Sequence, residues 1–264
     1  MLIDSHAHIN LDAFDRDREP VLARARQGGV RAIINIGLDV ESSRVSLEMA
    51  RQYDEVFSTV GFHPHEADKM RDDDLKTLAE LAKGAKVVAV GEIGLDFYRN
   101  LATRKSQTEA FKKQLDLSVE LGLPVVVHCR DAHREVYKIL SAWVKSTLSV
   151  VGRLRRGVIH CFSGDIEMAQ QYIDIGFYIS LAGSVTYPSA GELVQVAREI
   201  PLDKLLLETD APFMAPQAYR GKRNEPAYVA LIAEKVAQVR GVRRDAVAEA
   251  AAKNTIDLFK LPIG

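Results

Sequence analysis

Residues 86–91, KVVAVG, and residues 124–128, PVVVH, decide the fold, because these two apolar runs enclose one helical pattern at 103–121. Both runs are short, rich in valine and apolar throughout, as strands are when helices cover both faces of a parallel sheet. Gly122 follows the helical pattern, and glycine is the residue type that most often ends a helix. The segment therefore predicts two parallel strands joined by a helix.

The same alternation of strands and helices continues along the whole chain. Strands are predicted at residues 2–5, 32–36, 56–62, 86–91, 124–128, 157–161, 177–180 and 204–208. Helices are predicted at residues 18–27, 41–52, 73–83, 103–121, 134–144, 166–175, 191–199, 226–239 and 244–259. An open doubly wound sheet is the alternative, but eight strands and a length close to about 250 residues favour a TIM (β/α)8 barrel. We therefore expect one barrel domain over residues 1–264, with a long basic connection at 141–156 as a local insertion.

The composition is that of a globular protein without a large charged surface. The 264-residue chain has 47% hydrophobic and 27% charged residues and a formal net charge of -1, so no extended nucleic-acid or membrane surface is indicated. With two cysteines, no leader pattern and no apolar run of about 18 residues, we expect neither a disulfide framework nor a membrane span. The sequence therefore predicts a soluble, cytoplasmic protein, with a monomer favoured.

Five of the seven histidines lie at the carboxyl end of a predicted strand or within two residues of it. In a barrel these strand ends meet at one mouth, which makes residues distant in sequence into neighbours. His6 and His8 form the strongest pair, because residues i and i+2 of an extended chain point the same way and neutral imidazoles bind metal ions. Two surface histidines are the alternative for an isolated pair of this kind.

Three acidic residues follow apolar strands, where packing gives them no role. Glu92 follows the run at 86–91, and Glu208 and Asp210 follow three leucines at 205–207. Burying a carboxylate requires a compensating cation or hydrogen bonds. A bound metal would meet this requirement, and Glu92 has two oxygens with which to bridge two ions. Asp210 is a candidate metal ligand or proton acceptor at the mouth, with Glu208 orienting it or polarising water.

The fifth and sixth predicted strands each end in a His-Cys pair. His128 precedes Cys129, and His160 precedes Cys161. A zinc–thiolate site is one interpretation, but adjacent strand residues point to opposite faces of a sheet. We therefore expect both histidines to face the mouth and both cysteines to lie in the helix layer as small apolar residues.

Further polar residues near the predicted mouth are candidates for substrate contacts. His63 and His65 flank a proline after the third strand, where they bind metal, contact substrate or only shape the loop. Arg130 follows the fifth strand directly. Lys222 and Asn224 belong to a basic, glycine-containing loop before a helix, which either binds a phosphate or is simply solvated.

Taken together, these motifs resemble those of the TatD family of metal-dependent hydrolases. The matching segments are DSHAH at 4–8, GFHPH at 61–65, GEIGLDFY at 91–98, PVVVHCRDA at 124–132, HCFSG at 160–164 and LETDAP at 207–212. The resemblance implies a TIM-type barrel, divalent metals and DNase activity, with 3′→5′ exonuclease action in some members. It also implies two metal sites, one formed by His6, His8, Glu92 and Asp210 and the other by Glu92, His128 and His160.

With these residues we expect hydrolysis of phosphodiester bonds by water activated at two divalent ions, Mg²⁺, Mn²⁺ or Zn²⁺. Asp210 would accept the proton of the water and Glu208 would support it, while His63, Arg130 and Lys222 would balance phosphate charge. Hydrolysis of an amide, ester or lactone is the alternative, since activated water attacks carbonyls as well. A non-catalytic metal-binding protein is disfavoured, because the costly buried ligands are all present. The nearly neutral chain favours DNA single strands or ends as the substrate over duplex recognition.

Overall fold

Eight parallel strands form a barrel, and their order around the sheet is their order in the chain. The structure, a computed structural model, describes residues 1–147 and 156–263. Its strands are β1 (Leu2–Ala7), β2 (Val30–Asn35), β3 (Val56–Val60), β4 (Val87–Asp96), β5 (Val125–Arg130), β6 (Gly157–Ile159), β7 (Phe177–Leu181) and β8 (Leu205–Leu207). Hydrogen bonds from His8 N to Ala211 O (2.7 Å) and from Asp210 N to His6 O (2.9 Å) join the segment after β8 to β1. The predicted TIM (β/α)8 barrel is confirmed.

Helices connect the strands as the sequence predicts. They are α1 (Arg18–Gln27), α2 (Val40–Gln52), α3 (Asp72–Leu81), α4 (Arg104–Leu121), α5 (His133–Thr147), α6 (Ile166–Asp174), α7 (Gly191–Glu199), α8 (Val229–Arg240) and α9 (Arg244–Phe259). The ends of α4 show why the sequence predicts these bounds. Thr103 Oγ1 accepts a hydrogen bond from Ser106 N (3.1 Å) at the start of the helix, and Gly122 takes the left-handed conformation with φ 66° at its end. No helix of the described ranges is both long and apolar enough to cross a membrane.

Successive residues of a strand face two different apolar cores, one inside the barrel and one beneath the helices. Val126, Val158 and Leu206 belong to the core inside the barrel, whereas the next residues along two of these strands, Ile159 and Leu207, pack beneath the helices. Because both faces of the strands are covered, β6 (GVI) and β8 (LLL) are apolar throughout and do not alternate with polar residues.

The end of α9 closes the amino-terminal end of the barrel. Phe259 and the following Leu261 are buried in the interior core. Asn254 Nδ2 donates hydrogen bonds to Leu202 O and Leu205 O, both at 2.9 Å, where β8 begins. Since this end is filled with apolar side chains, the carboxyl ends of the strands are left as the polar mouth.

β4 is longer than the sequence predicts. It continues to Asp96 instead of ending at residue 91, because its second half pairs with β5. Gly94 permits this close pairing, since it has φ 145° and a Cβ atom there would lie 2.0 Å from His128 O. Glu92 therefore lies inside a strand and has a fixed backbone, instead of lying in a loop.

The predicted long connection at 141–156 is in part wrong. α5 continues to Thr147, because Leu140, Trp143 and Thr147 remain on its buried face, so the first part of that connection is helical. Residues 148–155 of the predicted insertion lie outside the described part of the chain.

Candidate metal centre

The strand alternation carries three polar side chains to the mouth of the barrel. β6 and β8 end one residue before His160 and Glu208, and β5 has His128 two residues after the interior Val126. Because alternate residues of a strand face the same side, these polar residues continue the rows that form the interior core. The sequence thus brings them together above that core.

Four ligand atoms face one another near the ends of β1 and β8 and on β4. His6 Nε2 lies 3.2 Å from His8 Nε2 and 3.4 Å from Glu92 Oε2. Asp210 Oδ1 lies 3.3 Å from His8 Nε2 and 3.7 Å from His6 Nε2. Atoms bound about 2.1 Å from a tetrahedral ion are roughly 3.4 Å apart, so these spacings fit one divalent cation. We call these four residues the first cluster.

The other oxygen of Glu92 faces a second group of imidazoles. Glu92 Oε1 lies 2.6 Å from His160 Nε2, 2.7 Å from His128 Nδ1 and 3.4 Å from His63 Nε2. His128 Nδ1 is also 3.3 Å from His160 Nε2 and 3.4 Å from His63 Nε2. We call these four residues the second cluster. Glu92 joins the two clusters through its two oxygens, which is the arrangement that a carboxylate bridging two ions requires.

Two acidic side chains hold the outer ring nitrogens of the second cluster. Asp96 Oδ2 lies 3.1 Å from His128 Nε2, so Nδ1 is the nitrogen left to face Glu92. Glu208 Oε1 lies 3.4 Å from His160 Nδ1 and accepts a hydrogen bond from Cys161 N (2.5 Å). Carboxylates in such positions orient an imidazole and fix which of its nitrogens carries the proton. Glu208 is fully buried, so it acts on the site through His160.

The electrostatics of the clusters favour ionised carboxylates but do not make every imidazole neutral. Burial alone raises the pKa of the Glu92 carboxyl, but the charges of His160 and His63 outweigh it and hold that pKa well below its usual value. Burial also raises the pKa of Asp210, and the hydrogen bond with His8 helps to turn the net shift downward. Burial lowers the pKa of His63 to about 4. Burial lowers the pKa of His160, but the charge of Glu92 and the contact with Glu208 outweigh it and hold that pKa well above its usual value. Ionised carboxylates and neutral imidazoles are the forms that coordinate cations.

The donor atoms of both clusters fit divalent cations. One donor atom from each of His6, His8 and Glu92 lies within 4.8 Å of the other two, and the same holds for His63, Glu92 and His128. Mixed imidazole and carboxylate donors suit zinc, manganese or iron. A buried carboxylate needs hydrogen bonds or a compensating cation, and Glu92 faces donor atoms of both clusters.

The structure brings three of the predicted substrate contacts to the same mouth. His63 belongs to the second cluster. His65 Nε2 lies 2.8 Å from Asp96 Oδ2, which places it behind that cluster. Arg130 is exposed at the end of β5, with its guanidinium 5.2 Å from the centre of the Tyr98 ring. Of these three residues, Arg130 is the one most open to a substrate.

The predicted phosphate-binding loop is held by contacts within the protein. Asn224 is fully buried, and its Nδ2 donates hydrogen bonds to Thr209 O (2.7 Å) and Phe213 O (2.6 Å). Both amide hydrogens are therefore used, and the predicted substrate contact by Asn224 is replaced by a role in folding the loop. Lys222 is exposed, with its ammonium 5.9 Å from the ring of Tyr219.

The two cysteines differ in position, although the sequence predicts the same place for both. Cys129 is buried, with Sγ 3.3 Å from His133 Nδ1 on the helix side, as predicted. Cys161 is partly exposed and has φ 42°. The prediction that it lies in the helix layer is wrong, because the left-handed backbone conformation of Cys161 ends the extended chain there and breaks the alternation of side chains.

Cys161 instead lines a cavity that no sequence motif indicates. The cavity has a volume of about 240 Å³ and lies among the segments that follow β5, β6, β7 and β8. Its lining consists of Arg130, Cys161, Ser163, Ser184, Ser189, Ala190, Glu192, Leu193 and Met214. We call it the serine pocket. The sequence could not reveal it, because its residues come from segments that are distant in the chain, and only Arg130, Cys161 and Ser163 lie within the motifs quoted above.

Comparison with known proteins finds relatives that match nearly the whole chain. A family model described as TatD related DNase matches residues 3–260. The chain is 38% identical over 261 residues to YabD of Bacillus subtilis, named an uncharacterized metal-dependent hydrolase, with 99% of this chain and 100% of YabD covered. It is 40% identical over 245 residues to the 3′-5′ ssDNA/RNA exonuclease TatD of Cronobacter sakazakii, with 91% and 90% covered.

The barrel and its loops also match a solved structure closely. YjjV, a TatD homologue from Escherichia coli K12, superposes with a TM-score of 0.91 at 34% identity, and the match covers 99% of this chain and 98% of YjjV. The match extends over nearly the whole length of both proteins, so it includes the strand ends on which the clusters lie. The chain therefore belongs to the TatD related DNase family of metal-dependent hydrolases.

Proposed function

We propose that this protein is a metal-dependent exonuclease that hydrolyses phosphodiester bonds at the ends of single-stranded DNA. One observation carries the proposal: Glu92 faces the first cluster with Oε2, at 3.4 Å from His6 Nε2, and the second cluster with Oε1, at 2.6 Å from His160 Nε2. A site that binds two ions is typical of enzymes that cleave phosphodiesters by in-line displacement. The 3′-5′ ssDNA/RNA exonuclease named among its relatives supports this choice of substrate.

In this proposal, the implied ligands divide between two ions. One cation is held by His6, His8, Glu92 and Asp210, and the other by Glu92, His128 and His160. When bound, such a pair lowers the pKa of a water molecule toward neutrality and neutralises charge on the phosphate. Mg²⁺, Mn²⁺ and Zn²⁺ are the candidates, since carboxylates suit all three and imidazoles favour the transition metals.

Asp210 is the proton acceptor in this scheme. Its side chain is 13% exposed, against 3% for Glu92, so it reaches the open mouth where a water molecule and a substrate meet. Burial raises the pKa of Asp210, but the hydrogen bond from His8 and the charges of the neighbouring imidazoles together lower it below its usual value. The carboxylate is therefore ionised at neutral pH, as a general base must be.

Arg130 binds the phosphate beside the clusters. It follows His128 by two residues on β5, so both side chains face the same side of the strand. A guanidinium is always charged and pairs with two oxygens of a phosphate at once. An exposed guanidinium beside the metal centre has no evident use in attack on a neutral carbonyl, and for this reason we favour a phosphodiester over an amide, ester or lactone.

Digestion of end-labelled single-stranded DNA tests the proposed function. Metal-stripped protein would receive Mg²⁺, Mn²⁺ or Zn²⁺ and then 3′-labelled or 5′-labelled strands. We expect metal-dependent, stepwise loss of the 3′ label, and we expect Asp210→Asn to lower the rate by about 100-fold or more. Asp203→Asn, at the opposite end of β8, is the matched control and should keep full activity. DNA left intact with every metal would refute the nuclease and favour the carbonyl hydrolase.

A further inference from the structure

The serine pocket adjoins the metal centre, and apart from Arg130 its lining residues have no part in the hydrolytic step proposed above. Its lining includes Cys161, the residue after His160, and Arg130, two residues after His128. The rest of the lining comes from the loops after β6, β7 and β8 and from the first turn of α7. A strand with its scissile phosphate at the clusters would place a neighbouring nucleoside in this pocket.

The chemistry of the pocket suits a nucleoside. Ser163, Ser184 and Ser189 supply hydroxyls, which both donate and accept hydrogen bonds. Leu193 and Met214 supply apolar surface. A sugar with its hydroxyls and a flat base with polar edges offers the same combination of groups.

One of these hydroxyls is held in place by a chain of contacts. Ser163 Oγ lies 3.5 Å from His133 Nε2, and His133 Nδ1 lies 3.3 Å from Tyr172 OH. Tyr172 is buried and donates a hydrogen bond to His133 O (3.1 Å). A hydroxyl fixed before the ligand arrives loses less conformational freedom on binding than a mobile one.

An acidic residue distinguishes the pocket from a general phosphate site. Glu192 is exposed in the first turn of α7, and a carboxylate only accepts hydrogen bonds. A free hydroxyl donates to such a group, whereas a phosphate carries the same sign of charge and is repelled. The lining of the pocket therefore includes both a cation, Arg130, and an anion, Glu192.

We propose that the serine pocket binds the last nucleoside of a strand and that Glu192 selects a free terminal hydroxyl against a phosphate. The proposal rests on the nuclease function proposed above. A strand that continued through the pocket would bring its next phosphate toward Glu192, and a 3′-phosphorylated end would do the same. The repulsion restricts attack to ends that carry a free hydroxyl.

The test compares kcat/KM for single strands of one sequence with a 3′-hydroxyl, with a 3′-phosphate, or closed into a circle. We expect the wild type to prefer the 3′-hydroxyl over the 3′-phosphate on the order of tenfold, and to leave the circle intact. Glu192→Gln keeps the size of the side chain but removes its charge. We expect this variant to cleave the 3′-phosphate strand faster than the wild type does, so that the preference falls toward onefold.

Glu234→Gln is the matched control, because Glu234 is an exposed acid of α8 that lines a separate groove. It should keep the wild-type preference. Equal rates on both linear strands by the wild type, or an unchanged preference in Glu192→Gln, would each overturn the proposal. A circle cut as fast as the linear strand would instead overturn the exonuclease action proposed above. Failure of the wild type to digest even the 3′-hydroxyl strand would instead overturn the nuclease function.

Discussion

At the scale of single residues, the second cluster depends on a side chain that is not one of its members. Asp96 Oδ2 faces His128 Nε2, while Asp96 Oδ1 accepts hydrogen bonds from Tyr98 N (3.0 Å) and Arg99 N (2.7 Å). The residue thus fixes the loop after β4 and the imidazole of β5 together. The hydrogen bond from His128 helps to lower the pKa of Asp96 against the effect of burial, so the carboxylate is ionised at neutral pH.

Asp96→Asn removes this charge and keeps an oxygen for the loop. We expect the affinity for the second cation to fall by about 10- to 100-fold, because the imidazole of His128 loses the partner that orients it and raises its basicity. Competitive titration with a metal-binding dye measures the change. Asp116→Asn, on the exposed face of α4, is the control. Wild-type affinity for both cations in Asp96→Asn would show that Asp96 only holds the loop.

The sequence identifies individual site residues when a strand carries them to the mouth. His6, His8, His128 and His160 were predictable in position, because each lies at or beside a strand end where side chains converge. Asn224 was not, since its burial depends on how a loop folds over it. A loop conformation of that kind is set by contacts between distant segments, and local sequence patterns do not predict such contacts.

At the scale of elements, one buried pair helps to close the barrel between β1 and the segment after β8. Asp4 is fully buried and accepts hydrogen bonds from Thr209 N (2.8 Å) and Thr209 Oγ1 (2.5 Å). Burial raises the pKa of Asp4 to about 8 despite these bonds. Apart from a longer hydrogen bond from His6 N (3.3 Å), the carboxyl depends on Thr209 for its hydrogen bonds, with no solvent to replace them.

Thr209→Val keeps the shape of the side chain and removes its hydroxyl. We expect the free energy of unfolding to fall by about 1–3 kcal/mol, because a buried carboxyl oxygen loses its partner. Urea denaturation measures this loss. Thr108→Val is the control, since the Thr108 hydroxyl bonds only to Arg104 O of its own helix (2.8 Å). If both variants unfolded at the same urea concentration as the wild type, the buried pair would have no part in closing the barrel.

The contact between α5 and α6 makes stability depend on pH. His133, the first residue of α5, packs against Tyr172 of α6, and burial lowers the pKa of His133 below its usual value of 6.5. The unfolded chain therefore binds a proton at higher pH than the folded chain does. The resulting stability is present above about pH 6.5 and is lost as the pH falls through and below that value.

His133→Gln removes the titrating group from this contact. We expect the fall in melting temperature between about pH 7.5 and about pH 5.5 to be smaller in the variant than in the wild type. Thermal unfolding followed by circular dichroism at both pH values measures the difference, and a comparison of the two proteins cancels the other titrating groups. An identical fall in both proteins would mean that His133 titrates alike when folded and unfolded.

Element boundaries were predictable where a local signal ends the element and unpredictable where pairing decides. Gly122 ends α4 as the sequence indicates, because glycine takes the left-handed conformation without strain. β4 runs past Gly91 to Asp96 because β5 pairs with it. The position of Cys161 was unpredictable for another reason, since its φ of 42° turns the chain after β6 and no local signal marks that turn.

At the scale of the whole molecule, the fold follows from the number of predicted strands and from the alternation of side chains along each strand. Eight apolar runs separated by helical patterns specify a barrel, and the alternation of faces then specifies which residues line its mouth. The residues of the two clusters could be predicted from the sequence for that reason. The serine pocket was not, because Arg130, Ser184 and Glu192 become neighbours only after the barrel has closed.

The number of divalent cations bound per chain tests the central claim most directly. After reconstitution with Mn²⁺ and removal of free metal, elemental analysis should find two ions per wild-type chain. It should find no more than one in Glu92→Gln, because the bridging carboxylate then has one neutral oxygen and one amide nitrogen. Glu234→Gln should keep two. A single ion in the wild type, or two ions retained by Glu92→Gln, would contradict a centre in which Glu92 joins two metal sites.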